Sequence, residues 1–171
     1  DRYMNAYLIP MSLTLIFVGN LTKKFGRKMM ATYAPAIFII GLIGSALAID
    51  SLVFIGFRII QGVGAAICGG LAGGYLNGGI GKEHSDIGKG LFVVTFTFSA
   101  TIGVAYGGAI SWYLSWRLVY ASMALIQFVS WVLIFRYLPK DQGDKDVSLD
   151  WITFILFSVG FGLSLIHISE P

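Results

Sequence analysis

Long apolar runs recur along this chain with only short polar breaks between them, and that repetition constrains its fold more than any other feature. Six runs can be drawn: residues 3–18, 29–49, 52–75, 91–111, 118–137 and from 151 onward. A helix crossing the hydrocarbon of a bilayer needs about 20 apolar residues, each rising ~1.5 Å, and the runs come at that spacing. None alternates strictly with period two, which argues against a β-barrel. Hydrophobic residues make up 56% of the chain, charged residues 12%, and mean hydropathy is +0.78. Soluble domains average about 25% charged residues, so this chain has too little polar surface to cover itself in water. The expected fold is all-α and polytopic, with about six transmembrane helices in the cell (plasma or inner) membrane and the lipid bilayer as first partner.

The cations show which way the helices run. Lys23, Lys24, Arg27, Lys28, Lys82, Lys89, Arg136, Lys140 and Lys145 all fall on one side if every run spans, against Arg2 and Arg117 on the other. An excess of Lys and Arg marks the cytoplasmic side. The net charge of +3 is spread over these connections, so nucleic acid is not an expected partner. Trp112, Tyr113, Trp116 and Trp151 sit near run ends, where aromatic rings favour the headgroup layer. The densest basic stretch, residues 19–28, is expected to be a short cytoplasmic loop. Gly19 would let a helix end pack closely, and Gly26 would supply the positive-φ turn of a tight helix hairpin.

Few residues offer chemistry. Cys68 is the sole cysteine, so no internal disulfide can form. No cluster of Cys, His and acids suggests a metal site, no cofactor is expected, and no nucleophile–base arrangement points to an enzyme. One charge lies inside a span. Arg58 falls about 10 Å below the outer surface, counting seven residues into its run at ~1.5 Å each. An arginine at depth costs on the order of 3 kcal/mol by insertion scales. Such a residue either snorkels outward and ties helices together, or it lines a polar cavity. Gln61, three residues on, shares its helical face. Asp50 and Asp150 sit only at run ends, so the partner of Arg58 must be an anion from elsewhere, a substrate, or backbone carbonyls.

Small residues recur at helical spacing. Gly62, Ala66, Gly70 and Gly74 form one stripe, with Ala65, Gly69 and Gly73 beside it. Ser99, Gly103 and Gly107, followed by Gly108, repeat the interval in the next run. Such faces let another helix backbone approach closely, so tight packing is expected along both, with hinge or gating motion as an addition.

Taken in order, these motifs resemble the N-terminal half of a major facilitator superfamily transporter. The stretch Gly19-x-Leu21 through Gly26-Arg27-Lys28 resembles the superfamily's cytoplasmic loop signature. Arg58-Ile-Ile-Gln61-Gly62-Val-Gly64-Ala-Ala66 resembles the fourth-helix motif of drug:proton antiporters, in which the arginine is implicated in proton handling. The Ser99, Gly103, Val104, Gly107, Gly108 set is similar to the fifth-helix antiporter motif. Trp116-Arg117 follows where that family usually has a Trp-Arg pair, and Leu138-Pro139 with Leu149-Asp150-Trp151 resembles the fourteen-helix multidrug branch after its sixth helix. The resemblance implies a monomeric secondary transporter that exports small amphipathic compounds with protons as coupling ion. Arg58 and Gln61 would line the path; Gly62, Gly64, Ala66, Gly103, Gly107 and Gly108 would serve packing and gating; and the loop motif would comprise Gly19, Lys23, Gly26, Arg27 and Lys28. A metabolite uptake facilitator is the alternative, and a non-transporting membrane sensor a second. Two positions depart from the pattern. Lys23 stands where the family loop usually has an acid. Val104 stands where the fifth-helix motif usually has proline, so a backbone N–H is kept and the expected kink is removed.

On this mapping the chain covers the second to seventh helices. Residues 1–138 form part of a six-helix domain lacking its first helix, 139–150 a cytoplasmic linker, and 151–162 the start of the next helix. The opening Asp1-Arg2, with neither initiator Met nor basic leader, is read as truncated. Residues 163–171 resemble the translation of a transposase adapter used in sequencing libraries, which would leave His167 and Glu170 without a role.

Overall fold

A computed structural model describes residues 2–78 and 82–138. Five α-helices account for nearly all of them: α1 (Arg2–Phe25), α2 (Arg27–Leu47), α3 (Ser51–Gly78), α4 (Lys82–Tyr113) and α5 (Trp116–Tyr137). Each is long and apolar enough to cross a membrane. The sixth run, from residue 151, and the linker and terminal segments expected at 139–171 lie outside the described residues.

Four of the five helices outrun the apolar segments that announced them, and α2 is offset from its own by two residues. Hydrophobicity marks the stretch in hydrocarbon, whereas the helical backbone continues through charged helix formers in the headgroup layer. The largest difference is at α4, which starts nine residues before its apolar run. The basic stretch expected to be a loop is also helical: Lys23 and Lys24 end α1, and Arg27 and Lys28 begin α2. A single residue, Gly26, separates the two helices, with φ 84° and ψ 149°. It is the one positive-φ residue among those described, as its place in the hairpin led us to expect. A Cβ is disfavoured in that region of backbone space.

The outer turns are closed by side-chain caps. Asp50 Oδ1 accepts from the Leu52 and Val53 N–H groups (2.6 and 3.0 Å) at the start of α3, and Ser115 Oγ accepts from Arg117 N at the start of α5. Both satisfy donors that a helix N-terminus leaves open.

The small-residue stripe of α3 explains how the bundle closes. A Cβ at Gly62 would collide with the Tyr7 carbonyl of α1, and one at Gly70 would lie 2.6 Å from Val18 Cγ1. On the adjoining face a Cβ at Gly64 would lie 2.6 Å from Phe38 N of α2. Ala66, between them, is fully buried. Thus α3 wedges against α1 and α2 at backbone distance. The buried cluster Val18, Ala31, Ala34, Ile67 and Leu71 fills their junction, with Ile134 of α5 and Leu138 just after it packed against the cluster.

Other small residues expected to pack face open space among the described residues. Gly19 lies inside α1 rather than at its end, and a Cβ there would meet open space. The same holds at Gly69, Gly73, Gly74, Gly103, Gly107 and Gly108. No residue between 86 and 113 is buried, because none of the other described helices covers the glycine face of α4. That helix runs unbroken through Val104, in keeping with the backbone N–H that valine retains where proline would not.

Candidate functional site

Helix ends expected on the same side of the membrane are bonded to one another. On the basic side, Lys28 Nζ donates to the Leu138 carbonyl at the end of α5 (2.8 Å), and Trp131 Nε1 donates to Thr32 O (2.7 Å). A lysine at a helix C-terminus meets both orphan carbonyls and the negative end of the helix dipole. On the other side, Arg117 Nη2 donates to Ala48 O at the end of α2 (3.0 Å), while its guanidinium lies 4.4 Å from the Trp116 ring centroid. Tyr3 and Ser51 join their hydroxyls at 2.9 Å.

Arg58 sits between these two ends, in the second turn of α3. Its Nη1 donates to Gln61 Oε1 at 2.8 Å, so the pair placed on one face by sequence spacing is joined. Its Nε donates to the Tyr3 carbonyl of α1 at 3.4 Å. The Tyr7 ring of α1 lies 4.7 Å from the guanidinium carbon, and the Tyr120 ring of α5 5.8 Å. Of the three partners that the sequence allowed, the backbone carbonyl is the one found here. None of the groups holding Arg58 among the described residues is an acid.

Neutral partners can hold the charge at this depth. A hydrogen bond to a charged group is worth about 1.5–3 kcal/mol, and a cation–π contact about 0.5–2 kcal/mol. Against an insertion cost on the order of 3 kcal/mol, one good hydrogen bond and two rings suffice without neutralising the guanidinium. Gln61 is 5% exposed, and its position depends on Gly41 of α2, where a Cβ would lie 2.7 Å from the Gln61 backbone.

Of the aromatic members of the site, Trp116 was singled out from sequence, and Tyr3, Tyr7, Phe54 and Tyr120 were not. Tyr3 and Tyr7 are four residues apart and so share a face of α1, a spacing that could have drawn notice. Tyr120 gave no local signal. The Phe54 ring centroid lies 5.3–5.6 Å from those of Tyr3, Trp116 and Tyr120, each edge to face. These four side chains help to line a cavity of about 590 Å³ between the outer ends of the helices. The sequence-predicted gating residues Gly103, Gly107 and Gly108 do not reach Arg58, although Gly107 borders the cavity. Lys23 is exposed on the last turn of α1.

Comparison with known proteins agrees with this architecture. The profile of the Major Facilitator Superfamily matches residues 3–153. A chloramphenicol resistance protein of Pseudomonas aeruginosa is 22% identical, with 90% of this chain and 37% of that protein covered. The MFS-type transporter YbcL of Bacillus subtilis is 32% identical over 85% of this chain and 38% of its own length. The multidrug resistance protein MdtL of Shigella flexneri is 36% identical over 37% of this chain and 16% of its own. The chain spans about a third of the length of the curated relatives it matches over most of its residues.

Proposed function

The chain belongs to the major facilitator superfamily, and on that footing we propose that it forms part of a proton-coupled exporter of small amphipathic or toxic compounds. The carrying observation is Arg58, a guanidinium set inside a span and held, among the described residues, by Gln61, a carbonyl and two rings rather than by a carboxylate. A positive charge that is not neutralised lowers the pKa of any acid brought beside it and expels its proton. Moving that acid away lets it take a proton again. Alternation between the two arrangements is the minimum that coupling to a proton gradient requires, and Gln61 keeps the guanidinium aimed while it happens.

Two relatives are named for resistance, one to chloramphenicol and one to multiple drugs, which supports export of small molecules as the direction. Gly103, Gly107 and Gly108 give α4 a face along which another helix can slide or rock. Arg27 and Lys28 anchor the cytoplasmic end. The protein works as a monomer in the cell membrane. The test is Arg58→Ala in the full-length protein: proton-driven export should be abolished while membrane insertion is normal. Full export by a normally inserted variant would count against the assignment.

A further inference from the structure

We infer that Tyr7 and Tyr120 are positioning residues that hold the Arg58 guanidinium in place within the span by covering it with their rings. This rests on the coupling role proposed for Arg58. A guanidinium donates hydrogen bonds only in its own plane, so Gln61 and the Tyr3 carbonyl engage two of its five N–H groups along the edge and leave its flat surfaces to other partners. In water those surfaces are weakly hydrated; in a span they need a partner that is neither charged nor a donor. An aromatic ring supplies that through its negative face. The rings come from two helices, α1 and α5, at 4.7 and 5.8 Å from the guanidinium carbon. A carboxylate would have fixed Arg58 more firmly but cancelled its charge.

The backbone is arranged to permit this. Gly62, one turn after Arg58, is where the Tyr7 carbonyl crosses α3, and any side chain there would collide with it. The glycine therefore admits α1 to the distance at which both the Tyr3 carbonyl and the Tyr7 ring reach Arg58. Because α1 and α5 each bring one ring, a shift of either helix against α3 uncovers the guanidinium and changes how strongly it acts on a neighbouring acid.

Two measurements on the full-length protein test the inference. In solid-state NMR of the ¹⁵N-labelled protein in lipid, ring currents should displace the Arg58 side-chain proton signals upfield. Tyr7→Leu should remove most of the displacement, and Tyr7→Phe should keep it. In proteoliposomes with ethidium as probe, Tyr7→Leu and Tyr120→Leu should each cut uphill proton-driven export about tenfold with KM changed less than about threefold, as expected from losing a desolvated cation–π contact. Downhill ethidium exchange should persist, which a misfolded protein would not support, and the phenylalanine variants should recover most of the loss. Wild-type Arg58 signals in Tyr7→Leu, or phenylalanine variants as impaired as the leucine ones, would overturn the positioning role. Full export by Arg58→Ala would instead remove the coupling reading beneath it, whatever the tyrosines do.

Discussion

Gly62 concentrates more consequence than its size suggests. The Arg58-x-x-Gln61-Gly62 motif reads from sequence as an arginine, its hydrogen-bond partner and a packing residue, and the structure makes the third responsible for the first. A methyl group at position 62 has no room against the Tyr7 carbonyl, so α1 must retreat and take the Tyr3 and Tyr7 contacts of Arg58 with it. Overpacking of a close contact typically costs about 1–3 kcal/mol. Gly62→Ala is expected to lower the melting temperature of the purified protein and to impair coupled export, whereas Gly69→Ala, whose Cβ meets open space among the described residues, should change the melting temperature less. Equal melting temperatures for the two variants would contradict the account. The Arg58–Gln61 pair was legible because both residues lie on one helix three positions apart. Tyr3, Tyr7 and Tyr120 were not, because their contacts join helices through separations of 51 to 62 residues, and a single sequence does not carry the register between helices.

At the level of elements, the existence of all five described helices could be read from apolar runs, and their ends could not. A run reports where hydrocarbon begins and ends, and charged residues such as Lys23 and Lys89 are good enough helix formers to carry the backbone beyond it. The stripes of small residues were legible as surfaces that allow close approach, without saying what approaches. That is why Gly62, Gly64 and Gly70 of α3 meet α1 and α2 while a Cβ at Gly103 or Gly107 of α4 meets nothing among the described residues. The α1–α2 connection is the most demanding local structure. Gly26 at φ 84° and ψ 149° lies near a region that a residue with a Cβ enters at a cost of about 1–3 kcal/mol. Gly26→Ala is therefore expected to reduce the amount of folded protein recovered from membranes at 37 °C. A variant recovered at wild-type yield and melting at the wild-type temperature would show that the hairpin tolerates another geometry.

For the molecule as a whole, orientation could be argued from sequence alone, since the bias of nine cations against two needs no knowledge of packing. The structure bears on which helix ends lie together, and not on which face is cytoplasmic. Lys28 with Leu138, Arg117 with Ala48, and Tyr3 with Ser51 each join helix ends assigned to one side. With Cys68 replaced by serine, Asp50→Cys should react with a membrane-impermeant maleimide in intact cells, and Lys24→Cys only after permeabilisation; the opposite pattern would invert the topology.

The one-residue joint at Gly26 also has a mechanical meaning. A long flexible connection lets two helices tilt independently, and it dissipates whatever torque one of them receives. A joint of one residue has only two soft torsions, and the helical turns on either side are stiff. A rotation of α1 about its axis at its basic end would therefore be handed on to α2, and through the Lys28–Leu138 tie to the end of α5. The helices that bring Tyr7 and Tyr120 to Arg58 are thus tied together at their basic ends, roughly 20 Å of hydrocarbon away from a guanidinium ~10 Å inside a layer about 30 Å thick, so that a load applied at those ends would reach the guanidinium as a change in its surroundings.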